Sequence, residues 1–322
     1  VSEPSNPWLA GVANLFTREF FELGRARLNP DGLLAVWLHG YSMAEQDFRM
    51  VARTFGEVYP AISVWELGRS DYLLIGGERP LCVGLARFEE RFRMPAVWGD
   101  LWRAGLYRPA DVLGCYIVAG EPLRRWAAGA PLHTDDNALL EFSAPRHLYA
   151  GQATAIQASL GALQRPLDDV LTAPPPARLK REVAGVAAGR LAYVAAAAAE
   201  GRRDALGVLR PLLAAFADCP TSLGLESALR MTAQRISRSV PPERRTPELA
   251  QLLLEAERAP APLRAGLRGA GPADLAALLA KVAGEAAAKG DAESAESYRE
   301  HARRMTKEEP PAAGGRQADQ DY

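Results

Sequence analysis

Apolar positions change their spacing several times along the first eighty residues, and each change predicts an element. In LFTREFFELGRARL, Phe16, Phe20, Leu23 and Leu28 recur close to one helical face, and the NPDG that follows supplies turn residues to end the helix. LLAVWLH, Leu33 to His39, is instead a continuous apolar run of strand length, as expected of a strand covered on both faces by helices. Ser42 is placed to cap the next helix, AEQDFRMVARTFGEVY, in which Phe48, Val51, Phe55 and Val58 recur at three- and four-residue intervals and Pro60 stops the run. AISVWEL and DYLLIGG then read as two short strands, and the GRS between them is too short for anything but antiparallel pairing. With SEPSNPW read as a strand end before the first helix, the order is strand end, helix, strand, helix, strand, strand. That order predicts an α/β fold: the second half of an open sheet, closed by an antiparallel hairpin.

Beyond residue 80 the pattern loosens. Short helices are expected at Leu85–Phe92 and Gly99–Ala104, a strand in VLGCYIVAG and another in the ALLEF of HTDDNALLEFSAPR. From about Gly151 the chain reads as helical throughout, broken at Pro174–Pro176 and at VPPERRTP. Four regions follow: 1–80, the α/β half-domain; 81–150, its irregular extension; 151–305, an all-α domain; and 306–322, a Pro-, Gly- and acid-rich tail expected to be disordered. GDAESAESYREHARRM, with Ala295, Tyr298 and Ala302 on one helix, is similar to a tetratricopeptide unit, and EGRRDALGVLRPLL echoes it more weakly.

Composition narrows the function classes. Thirty-eight basic residues against thirty-nine acidic ones remove the electrostatic footprint of a nucleic-acid binder. The three cysteines, Cys82, Cys115 and Cys219, form no CxxC or Cys/His cluster, so no metal is expected and free thiols in a reducing, cytoplasmic setting are. The longest apolar run, Leu191 to Ala199, falls well short of the ~20 residues of a membrane span, which leaves only an upstream segment as a route to a membrane.

SEPSNPW, LFTREFFELGRARLNPDGLLAVWLH and TDDNALLEFSAPR together resemble the spermidine synthase (polyamine aminopropyltransferase) family, over roughly Val1 to Leu148. The resemblance implies the carboxyl-terminal half of a methyltransferase-like Rossmann sheet. In that family the fourth strand ends in an Asp-Ser-Ser-Asp-Pro type motif whose first acid helps deprotonate the attacking amine. Glu3 takes that acid's place, Ser5 keeps a serine, Asn6 replaces the second acid and Pro7 keeps the proline. A protonated amine is no nucleophile, so such a site needs a base in reach and negative charge to hold the cation. Asn6 can hydrogen-bond an amine but carries no charge. Trp37, followed by His39 and Tyr41, stands where the family has a substrate-contacting Gln. Asp135 and Asp136 match its TDD-x-P-x-LEF pattern, with Ala138 in place of the proline.

The implied reaction is aminopropyl transfer from decarboxylated S-adenosylmethionine to a small amine such as putrescine, with Glu3 as base and Ser5, Asn6, Trp37, His39, Asp135 and Asp136 as substrate-binding candidates. The glycine-rich turn and ribose-binding acid of an adenosyl site are expected before Val1, because Gly76 and Gly77 follow the final strand. Two alternatives stay open. Asn6-Pro7-Trp8 also suits a methyltransferase using S-adenosylmethionine, and a catalytically dead Rossmann half could serve a helical domain that binds a protein partner. Monomer and homo-oligomer are not separated by the sequence.

Overall fold

A computed structural model describes residues 1–258, apart from 5, 69, 95, 98, 99, 102–105, 107, 149–152, 202, 203 and 219–222, together with scattered residues between 280 and 303. Packing divides the chain into two compact units, Val1–Glu257 and Arg258–Tyr322. The tail and most of the tetratricopeptide-like segment, Tyr298 and Ala302 included, lie outside the described residues.

A short 3-10 turn, Val12–Phe16, leads into α1, Arg18–Ala26. Thr17 caps α1 by accepting the Phe20 N–H through its hydroxyl. The buried face is rotated from the expected one: Phe21 is fully buried, whereas Leu23 is 63% exposed. The GRS-linked hairpin forms as expected. Strands β1 (Leu33–His39), β2 (Ala61–Gly68) and β3 (Asp71–Gly77) pair in the order β1-β3-β2, and β4 (Tyr116–Ala119) adds to the free edge of β2.

All neighbouring pairs are antiparallel, so β1 and β2 point the same way with β3 reversed between them. Outside β1, Ser2 forms a single parallel bridge to Val36, donating to the Ala35 carbonyl (2.8 Å) and accepting from Trp37 N–H (2.9 Å).

Helix α2 (Glu45–Val58) packs on the sheet with Phe48, Val51, Phe55 and Val58 all buried, as its spacing predicts. Its cap is Ala44, however, and no side chain caps it. Ser42 instead takes φ 53°, a left-handed turn residue between strand and helix. The later helices are α3 (Leu85–Phe92), α4 (Pro109–Leu113), α5 (Glu121–Ala127), α6 (Leu139–His147), α7 (Ala153–Gly161), α8 (Ala177–Gly201), α9 (Ala205–Asp218), α10 (Leu223–Ser239) and α11 (Pro247–Arg258). ALLEF is thus the start of α6 and not a strand. A five-residue apolar run has no period of its own, and here the turn before it begins a helix. The helix expected at Gly99–Ala104 falls mostly outside the described residues.

Two cores lie on the two faces of the sheet, as strand alternation requires. Val36, Leu38, Val64, Tyr72 and Leu74 join Phe21, Phe48 and Phe55 in the larger one. Trp65 and Tyr116, with the half-buried Leu73 and Ile75, face Leu113, Leu167 and Leu179 in the smaller. Coverage of β1 is uneven: Val36 and Leu38 are fully buried, while Ala35 and Trp37 on the opposite face are only half-buried. Among the described residues no helix is long and apolar enough to cross a membrane.

Candidate functional site

Strand alternation places Trp37 and His39 on the same face of β1, and the chain then turns through Gly40, Tyr41 and Ser42. Two strained positions frame this turn. Ser42 and Ser70, both outside the range that a side chain favours, have φ of 53° and 72°. The Gly40 N–H joins the turn after β1 to the second of them by donating to the Ser70 carbonyl at 2.6 Å.

The Ser2 bridge carries the next residues across the end of β1. Trp8 meets His39 edge-on with ring centres 4.8 Å apart, Trp37 lies 5.4 Å from it, and Tyr41 stacks on it at 4.4 Å. The Tyr41 hydroxyl donates to Asn6 Oδ1 at 3.4 Å. Asn6, Trp37 and His39, expected to share a site, are therefore brought together, and Trp8 and Tyr41 complete the group. Glu3 follows the bridged Ser2 and is exposed, while Ser5 lies outside the described residues.

His39 is fully buried. Its Nδ1 is 3.0 Å from the Tyr41 carbonyl, which can only accept, so Nδ1 carries the proton. Nε2 is then a bare acceptor, and it is buried without a hydrogen-bond partner. Burial pushes the imidazole down to about 4, against the opposing pull of the Tyr41 carbonyl, so the ring is neutral near pH 7. A buried polar atom left unpaired is uncommon and asks for an explanation. Asp71 pairs with His39 in the β1–β3 register. Like Glu3, it takes part in no ion pair among the described residues.

The expected acidic pair is elsewhere. Asp135 and Asp136 sit in an exposed turn, where the Asp135 N–H donates to Glu19 Oε2 at 3.0 Å. Thr134 and Asn137 close that turn by exchanging backbone-to-side-chain bonds of 3.1 and 3.3 Å. Ala138, the position that carries proline in the resembled pattern, has φ 44°, which proline cannot adopt. Glu141 then accepts the Gly11 N–H, and His133 is held through Ala13, Leu140, Thr54 and Arg18. This segment acts as a clasp on the loop after Pro7. Neither carboxylate of the pair is joined to His39 or Asn6.

One buried ionic group went unsuspected. Glu66, at the end of β2, meets Arg190 of α8 at 3.3 Å and accepts from Gln157 of α7 at 3.2 Å. Arg190 also donates to the Tyr116 carbonyl at 3.2 Å and to Gln164 at 2.6 Å. Burial raises the Glu66 carboxyl, with Arg190 and Gln157 opposing it. A lone acid inside the apolar run AISVWEL was the available signal; its partner, 124 residues on, left none.

The glycines at the end of β3 do not cradle a ligand. A Cβ at Gly76 would lie 2.6 Å from the Phe55 ring and one at Gly77 2.7 Å from Leu33, so both serve close packing of the core. Among the described residues no group of three or more His, Cys, Asp or Glu side chains is placed to hold a metal ion. Comparison with family models, with curated proteins and with solved structures gives no match to this chain.

Proposed function

We propose that the chain is part of a spermidine synthase-like transferase that moves an aminopropyl group from decarboxylated S-adenosylmethionine to a small diamine such as putrescine. The observation that carries this reading is the sheet: Ser2 parallel to β1, and β3 reversed between two co-directional strands, with Asp71 and the aromatic residues Trp8, Trp37 and Tyr41 around His39 where β1 stops. That arrangement is the one expected of the closing half of a methyltransferase-like Rossmann sheet, in which ligands sit beyond the carboxyl ends of the parallel strands.

Glu3 takes the proton from the attacking ammonium. Its side chain is exposed and in no ion pair among the described residues, so no protein cation competes with the amine for it. Asn6 and the aromatic group around His39 orient the amine, and a base so placed is worth ~100- to 10,000-fold in rate. The test uses the longest reading frame containing residues 1–322, incubated with putrescine and either decarboxylated or ordinary S-adenosylmethionine, with products read by mass spectrometry. An aminopropyl adduct from the decarboxylated form alone, abolished by Glu3→Gln, is the expected result; the same adduct retained after Glu3→Gln removes Glu3 from the role of base.

The aromatic enclosure formed by Trp8, Trp37, His39 and Tyr41 favours a second reading, an S-adenosylmethionine-dependent methyltransferase acting on a nitrogen held by Asn6. Under it the ordinary cofactor yields a methyl adduct that survives Glu3→Gln and is lost in Asn6→Ala.

A further inference from the structure

Three features of the β1 end point to a ligand together. The first is chemical: a fully buried imidazole presents a bare nitrogen, Nε2, with no protein partner, while Nδ1 is committed to the Tyr41 backbone. The imidazole is therefore fixed as an acceptor at this atom. The second is the surround. Trp8 and Trp37 approach His39 at tilts of 61° and 60°, Tyr41 stacks on it at 24°, and Nε2 lies buried within this aromatic surround. The third is charge. Glu3 follows the residue bridged to Val36, Asp71 faces His39 in register, and neither carboxylate is neutralised by an ion pair among the described residues.

We propose that this end of β1 is an ammonium-binding box, in which the aromatic rings and the two carboxylates draw in the cation and His39 Nε2 accepts one of its N–H bonds. Aromatic faces stabilise a cation through their quadrupole, more strongly where water is excluded. Carboxylates beside a low-dielectric pocket add a field of the same sense. A bare imidazole nitrogen contributes what neither does, a directional acceptor that is satisfied only by a donor hydrogen. The box therefore selects a primary or secondary alkylammonium over a quaternary one of equal charge.

Tyr41 is the gate. The residue is 38% exposed and its ring is held by stacking and by the long Asn6 contact, so it can swing outward while its backbone carbonyl keeps the imidazole tautomer fixed. The inference rests on the amine-transferase reading for the substrate class and adds to it the residues, Trp8, Tyr41 and Asp71, and the reason for N–H selectivity.

The test is binding, read independently of turnover. The full chain carrying isotope-labelled histidine is titrated with putrescine and, separately, with its bis-trimethylammonium analogue, which keeps both charges but has no N–H. The His39 Nε2 resonance, assigned by its loss in His39→Phe, should move on putrescine addition and stay with the analogue. Putrescine affinity should fall about tenfold or more in His39→Phe. An equal shift with both cations, or no imidazole Nε2 signal among the four histidines moving with putrescine, overturns the proposal, and the parent protein alone decides this without assignment even if the variant fails to fold. Putrescine binding at Nε2 without any aminopropyl product would leave the box standing and remove the transferase reading.

Discussion

His39 and His133 are both fully buried, and burial lowers both imidazoles, yet they are built for different ends. His133 has every polar atom occupied. Nε2 contacts the Ala13 carbonyl at 2.9 Å, Nδ1 accepts the Leu140 N–H at 3.4 Å, its own N–H reaches Thr54 Oγ1 at 2.9 Å, and its carbonyl accepts from Arg18. It joins the loop after Pro7, α2 and α6 in one clasp. His39 has one ring nitrogen satisfied and one bare, at a strand end framed by two strained serines. Burial does not distinguish these two imidazoles; the unmet hydrogen bond of one of them does.

The largest expected effect lies on the scaffold side. His133→Leu strands the buried Ala13 carbonyl and Leu140 N–H, and should cost about 2–5 kcal/mol in urea unfolding. A loss under 1 kcal/mol would erase the distinction. On the His39 side the matching effect is one of pH. Its folded value of about 4 lies below the unfolded ~6.5, so the unfolded chain binds more protons between them. The contribution is present above pH 6.5 and is lost as pH falls towards 4, about 3 kcal/mol in all. Because His133 works in the same direction, the difference between the parent and His39→Phe isolates the His39 share, and equal slopes for the two proteins would contradict it.

Backbone strain in the clasp gives a third contrast. Ala138→Pro loses the bond from its N–H to the Thr134 carbonyl and cannot reach φ 44°, so it should cost ~3 kcal/mol. Ala138→Gly relieves the strain and should gain about 1 kcal/mol in the same assay. The smallest expected effect is that of Asp135→Asn with Asp136→Asn. Both side chains are exposed in the turn, so stability should move by less than about 0.5 kcal/mol and transfer should keep its rate. A tenfold loss of transfer would return the pair to the site.

Much of the sheet was legible because its signals are local. The run Leu33–His39, the spacing of Phe48, Val51, Phe55 and Val58, and the short GRS link each fix an element without help from elsewhere. What failed depended on context. Leu23 lies within the expected stripe of α1 but faces solvent, since the core contacts Phe21. Ser42 has the chemistry of a cap, but the turn after β1 requires a left-handed residue there. ALLEF is too short to declare a period.

The aromatic group was half legible. Trp37 and His39 alternate along one strand and so share a face, whereas Tyr41 joins them through the turn after β1 and Trp8 only through the Ser2 bridge. The Glu66–Arg190 pair spans from strand to distant helix and has no local trace beyond a charged residue among apolar ones.

The most direct measurement of the central contrast is made on His39→Phe in the full chain, with unfolding free energy at pH 7.5 and putrescine affinity taken on the same preparation. Removing a bare buried nitrogen, and freeing a Tyr41 carbonyl at an exposed residue, should leave stability within about 1 kcal/mol of the parent while amine binding falls about tenfold or more. Stability falling as far as in His133→Leu, with amine affinity unchanged, would make His39 a second scaffold histidine and contradict the account.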